Sequence, residues 1–321
     1  MASQKYFDLY PGFPDDIPVA RIAQLSLSKL TSGDEEKRVR LFKACTELGF
    51  FLLELNGDDG GGKLLTDLEN MFRIEEELFD LPDEEKILYN LIPPHKLLGY
   101  KAVGVMKTET GQPDKCEFFH VSRDEMLGIE PAGENPQVIR ENQDKILGLT
   151  TGTLSSLQSV DQPSGTIIRM VRYPSQTTDD RRTALLPHTD YGTLTLLVSV
   201  LGGLQILPHG ASEWQYVEPK PGCVIVNVGD ALVEWTGGVL RSNLHRATVP
   251  PGLQAECVRH SIAYLIRLGR EIPMRRLVGG HIPAATAGED MDMTASEWEM
   301  KKTMALKAGA DIARSHGGTV G

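Results

Sequence analysis

Apolar and polar residues alternate from Leu186 to Val200, a period of two that predicts a β-strand with one face buried. Similar short runs follow at 203–207, 214–217, 223–228, 241–249 and 258–268, and one precedes them at 167–174. Gly202-Gly203 and Pro219-Lys220-Pro221-Gly222 mark turns between them. Many short strands spaced about ten residues apart argue for a sandwich or barrel.

The first half reads differently. Ile17 to Ile22 predicts a short opening strand, and Asp34 offers an N-cap for a helix over Glu35 to Leu48. Val39, Phe42, Cys45 and Leu48 would form the apolar stripe of that helix. Gly49 to Leu53 predicts a buried strand, Asp58 to Gly62 a turn or loose loop, and Leu64 to Phe79 a second amphipathic helix. No Lys-Ser/Thr follows those glycines, so a phosphate cradle is not expected there. Phe79-Asp80-Leu81-Pro82 ends the helix, and Asp83-Glu84-Glu85-Lys86 opens a further helical turn. Beyond a polar turn at Thr108 to Asp114, a helix is predicted over Gln137 to Leu157, and a last one over Thr294 to Ser315 after a Gly- and Ala-rich loop.

Composition narrows the class. With 321 residues and 40% hydrophobic positions the chain can bury one large core. A formal net charge of −11 argues against nucleic acid and against an anionic membrane, which both select clustered Lys and Arg. Cys45, Cys116, Cys223 and Cys257 show no paired spacing, as expected of reduced thiols in a cytoplasmic protein. No basic-then-apolar leader and no run of 18 apolar residues is present, so a soluble, intracellular protein is expected.

The candidate chemistry lies in the alternating run. His188 and Asp190 stand two apart and would share a strand face. Alone, His-x-Asp is a weak signal, because such pairs are common hydrogen-bond partners. His245, 55 residues after Asp190, supplies a possible third ligand. Two imidazoles and one carboxylate make the facial set that holds Fe(II) with open positions. Arg259 and Ser261 share a face of the next strand and suit capture of a carboxylate. His95, His120, His209, His260, His281 and His316 lack that parity and spacing and are expected on the surface or in satisfied core hydrogen bonds. Asp230, after Asn227-Val228-Gly229, reads as turn chemistry rather than as a ligand.

The order His-x-Asp, a gap of fifty-odd residues, His and then Arg-x-Ser resembles the isopenicillin N synthase-like Fe(II)- and 2-oxoglutarate-dependent dioxygenases. Tyr191 to Leu197, Gly202-Gly203-Leu204-Gln205, Val226 to Leu232 and His245-Arg246 look like family positions in family order, as do Gly99-Tyr100 and Glu117-Phe118-Phe119. The resemblance implies a mixed α/β, mainly β fold: a double-stranded β-helix, or jelly-roll, core with flanking helices. It implies an N-terminal region at 1–155, the oxygenase core at 156–270 and a C-terminal loop and helix at 271–321, together one compact domain. It further implies Fe(II) on His188, Asp190 and His245, and 2-oxoglutarate held by Arg259, Ser261 and Tyr173. With O2, a small metabolite would be hydroxylated, desaturated or rearranged, releasing succinate and CO2. Val171 replaces the Asn of the plant-type branch, which points toward fungal and bacterial members that tailor natural products.

Three readings stay open for Arg169: an aid to 2-oxoglutarate, a binder of a substrate carboxylate or phenolate, or an outward charge if the strand register differs. Phe119 lies in a segment that borders the substrate in this fold, against the plainer expectation that Phe118 and Phe119 pack in the core. The alternatives in function are an Fe(II) oxidase of the same fold that dispenses with 2-oxoglutarate, and a metal-binding jelly roll without redox activity.

Overall fold

The computed structural model describes residues 7–92, 96–108, 110–129, 162–176, 185–277, 282–286 and 291–307. Two sheets make the body. The larger runs β1 (Ala23–Ser26), β2 (Phe50–Glu54), β10 (Cys223–Val228), β7 (Leu194–Ser199), β12 (Arg259–Ile266), β5 (Ile167–Tyr173), β4 (Glu117–Ser122), β3 (Gly99–Lys101) across its width. The smaller runs β6 (Leu185–His188), β11 (His245–Ala247), β8 (Leu204–Ile206), β9 (Gln215–Tyr216). This is the jelly roll, with helices on the outside of the large sheet.

Alternation sorts each central strand onto two faces. Ile168 and Met170 of β5, Leu196 and Val198 of β7, and Ile262 and Tyr264 of β12 meet the long helix Asp59–Phe79 through Leu68, Met71, Phe72 and Leu78. That helix repeats apolar residues every three or four positions, so a single stripe covers the sheet. Leu78 is fully buried, and Leu78→Ala would cost about 2–5 kcal/mol. The opposite residues, Arg169, Val171 and Tyr173 of β5 with Arg259, Ser261 and Ala263 of β12, face the small sheet. The gap between the sheets is the cavity that matters.

Four expectations need correction. The opening strand lies later, at Ala23–Ser26, where it pairs in parallel with β2; only Val19 of the earlier stretch makes a bridge, to Tyr216. The helix Glu35–Glu47 is capped by Asp34 as expected, but Val39 and Phe42 are exposed. Cys45 and Leu48 pack inward as expected, but with Leu41 and Ala44 in place of Val39 and Phe42. Asp58 is no loop residue; it accepts from the Gly61 N–H and starts the long helix, whose Gly61 passes too close to the Leu55 carbonyl for any side chain. Finally, 186–200 is not one strand. It breaks at 189–193, leaving β6 in the small sheet and β7 in the large one. The expected helix at 137–157 and the end of the last helix lie outside the described residues; Ala295–Lys307 is helical.

Candidate active site

His188 ends β6 and His245 opens β11, and the two are partners across that ladder. Asp190 lies just past the strand end, so chain reversal rather than strand parity aims it at the two imidazoles. The Nε2 atoms of His188 and His245 each stand 3.7 Å from Asp190 Oδ1. All three donor atoms fall within 4.8 Å of one another, close enough to share one ion.

The atoms that point away from this centre are tied down. His188 Nδ1–H donates to the Leu186 carbonyl (2.7 Å) and His245 Nδ1–H to the Asn243 carbonyl (3.0 Å). A carbonyl only accepts, so both rings keep an Nε2 lone pair for a metal. Asp190 Oδ2 accepts from Thr195 Oγ1 (2.6 Å) and Asn227 Nδ2 (2.8 Å), which leaves Oδ1 for the centre. Burial alone would raise the Asp190 carboxyl, but the two imidazoles and these two donors hold it well below the ordinary carboxylate range. Burial, with the neighbouring His245, pushes His188 down to about 3, so its imidazole stays neutral and able to ligate. The donor set therefore fits Fe(II).

The loop that carries Asp190 is built by close backbone approach. A side chain at Gly192 would meet the Ile266 carbonyl at 2.3 Å, and one at Gly229 the Gly192 carbonyl at 2.2 Å. Asp230 N–H donates to the Asp190 carbonyl (2.7 Å), and the Asp230 carboxylate accepts from Thr189 (3.0 Å), Ser242 (2.6 Å) and Lys302 (3.0 Å). Asp230 is thus the tie of the loop and no ligand, as its turn setting suggests. Thr195 and Asn227 were given no role by sequence reasoning. Their signal was present, since both alternate onto the cavity face of β7 and β10.

The cavity has about 560 Å³ of empty space, its open mouth included. On the wall formed by the large sheet, Arg259 is paired across the β5–β12 ladder with Tyr173 and stacks over the Tyr173 ring at 4.5 Å. The guanidinium is buried; its Nε reaches the Leu201 carbonyl at 3.5 Å, and Nη1 has no hydrogen-bond partner among the described residues. Ser261 is buried on the same face, and burial raises the Tyr173 phenol beside them. A buried guanidinium with its Nη1 unpaired among the described residues, beside two hydroxyls, is the right chemistry for a carboxylate.

Arg169 faces the cavity, which removes the outward reading. Its Nε donates to His120 Nε2 (2.8 Å), while His120 Nδ1–H donates to the Leu97 carbonyl (2.8 Å). Burial and the Arg169 charge keep His120 far below its usual pKa, a neutral brace for the guanidinium. Phe119 is placed elsewhere: fully buried, it packs on Tyr100 and Phe79 on the helix side of β4. Its neighbour Phe118 packs with Val171, Tyr173 and Ala247 at the cavity wall. His260 faces away from Arg259 and Ser261, and His209 is exposed; His95, His281 and His316 lie outside the described residues.

The sequence matches the family model described as the 2OG-Fe(II) oxygenase superfamily over residues 164–268, and the non-haem dioxygenase N-terminal model over 17–142. A 2-oxoglutarate-dependent dioxygenase of Aspergillus fumigatus is 30% identical, the match covering 91% of this chain and 88% of that protein. One from Dothideomycetidae sp. is also 30% identical, over 85% and 90%. The fold is similar to that of a full-length Neurospora crassa protein solved in complex with alpha-KG, at TM-score 0.70 and 22% identity, covering 91% of this chain and 98% of that one. The same Neurospora protein has also been solved with thymine.

Proposed function

The chain belongs to the 2OG-Fe(II) oxygenase superfamily and is a non-haem Fe(II)- and 2-oxoglutarate-dependent dioxygenase, and from that premise we propose which residues do what. His188, Asp190 and His245 hold the iron through Nε2, Oδ1 and Nε2. Arg259, with Ser261 and Tyr173, holds the far carboxylate of 2-oxoglutarate. The observation that carries this reading is the buried Arg259 Nη1, without a partner among the described residues, on a side chain that lines the same cavity as the triad. A cation so placed is costly unless an anion arrives.

Iron held there would supply O2 activation: one O2 is consumed as 2-oxoglutarate is oxidatively decarboxylated to succinate and CO2 and a substrate C–H bond is oxidised. The protein's share is placement. Leu186 and Asn243 fix the ring tautomers, Thr195 and Asn227 fix the carboxylate, and the walls Val171, Leu197 and Leu204 keep the space apolar. Relatives named for 2-oxoglutarate favour this over the oxidase that dispenses with it.

The substrate is a small molecule, and the reaction is hydroxylation, desaturation or ring rearrangement in the making of a natural product. The N-terminal family model, described from morphine synthesis, supports the natural-product setting, and thymine in a structural neighbour supports the scale of the substrate. Arg169, braced by His120, gives that substrate a cation to meet, so it carries a carboxylate or an acidic phenol or enol oxygen. The pairing of β2, from the N-terminal region, with β10 of the core supports reading these two regions as parts of one domain.

An anaerobic titration with Fe(II) and then 2-oxoglutarate tests the assignment. A weak visible charge-transfer band requiring both, and lost in His188→Ala, is expected. Iron binding without the band would restore the cosubstrate-free oxidase. Screening small acids by succinate release then identifies the substrate.

A further inference from the structure

The outer face of β12 carries a pair that the chemistry above does not use. Glu75 sits in the apolar stripe of the long helix, between Met71 and Leu78, where the helical period asks for another Leu. It is 0% exposed, a rare place for a carboxylate. His260 Nδ1 faces it at 3.5 Å and the Val171 backbone lies close. Yet neither carboxylate oxygen, nor His260 Nδ1, has a well-formed hydrogen bond among the described residues. Buried polar atoms in that state need an explanation.

The strand supplies one. His260 directly follows Arg259 and points to the opposite face, so the thickness of one sheet separates Glu75 from the guanidinium that lines the cavity. Building on the reading that Arg259 binds 2-oxoglutarate, we infer that Glu75, with His260, is a positioning residue that sets the charge behind Arg259, so that the dicarboxylate binds as Glu75 takes up a proton from solvent. Ionised Glu75 draws on the same positive field that the incoming carboxylate needs. Neutral Glu75 leaves that field to the cosubstrate.

The groups facing Glu75 are His260 from β12 and the Val171 backbone from β5, with the Arg259 charge acting from the other face of β12; Tyr10 and Glu76 line the neighbouring small cavity with His260. Burial pushes the Glu75 carboxyl up to about 7, against the pull of His260 and Arg259. An added anion at Arg259 raises it further, which is proton uptake. The sign follows: 2-oxoglutarate binds tighter below the Glu75 midpoint and weaker above it.

The test is calorimetry of 2-oxoglutarate binding to the Fe(II)-loaded protein without O2, in buffers of different protonation heat. Wild type should take up protons, and its affinity should fall about three- to tenfold as pH rises from about 6 to about 8. Glu75→Gln should abolish the uptake and keep the tight affinity at the alkaline end, a gain that mere structural damage would not produce. Equal uptake and slope in both proteins, or weaker binding by Glu75→Gln at every pH, overturns the inference. If Glu75→Gln fails to fold, His260→Asn serves: the midpoint should move up, and an unmoved midpoint overturns the inference. Binding heat without proton uptake in wild type sinks this inference alone, whereas no binding heat at all sinks the cosubstrate assignment with it.

Discussion

At the iron end of the cavity the polar atoms that face away from the centre have partners: both Nδ1–H groups donate to carbonyls, and Asp190 Oδ2 accepts twice. At the proposed cosubstrate end Arg259 is buried with one long contact from Nε and, among the described residues, none from Nη1. The first end is organised before its ligand arrives, because a misaimed imidazole or carboxylate would have to be re-oriented against a packed sheet. The second buries a cation whose Nη1 has no partner among the described residues, and an anion bound there would supply one. One end is built for geometry, and the other keeps an unmet demand.

Substitutions should separate the two ends. The largest effect is expected from Asp190→Ala, His188→Ala or His245→Ala, each losing iron by more than the roughly 10–100-fold expected of an outer partner. Equilibrium iron binding measures this, and full activity in any one would break the triad assignment. Next comes Arg259→Leu, which should weaken 2-oxoglutarate by about 1.5–3 kcal/mol while iron affinity stays put. If both affinities fall together, the ends are not independent and the contrast fails. Thr195→Val removes one donor from Asp190 and should cost iron affinity nearer the tenfold end of the outer-partner range, with 2-oxoglutarate little changed in the iron-saturated protein. The smallest effect on both ends is expected from Arg169→Leu. Substrate KM should rise severalfold and selectivity for acids should relax, while iron and 2-oxoglutarate titrations stay as in wild type. A shifted 2-oxoglutarate titration would instead make Arg169 part of the cosubstrate end.

The corrections show where sequence pattern loses information. In the helix Glu35–Glu47, a stripe through Cys45 and Leu48 can be drawn with Val39 and Phe42 or with Leu41 and Ala44, and only the sheet beneath selects between them. Alternation over 186–200 hid a break, because Thr189 to Thr193 keeps the polar rhythm while the backbone leaves one sheet for the other. Phe118 and Phe119 are adjacent aromatics with equal claims, and strand register alone sent Phe118 toward the cavity wall and Phe119 into the helix-side core.

By itself the sequence determined the chemistry: which side chains can ligate iron, which cation can meet a carboxylate, and the β-rich class that brings distant segments together. Those follow from residue type and from periods of two and 3.6, which are local. Tertiary structure decided everything that depends on what lies opposite. It moved Asp190 off the strand and onto a loop pinned by Gly192 and Gly229, and gave Thr195 and Asn227 to its second oxygen. It braced Arg169 on His120 and set Glu75 behind Arg259. Each of these joins residues 5 to 185 apart along the chain, where only the packing of one sheet on another fixes who meets whom.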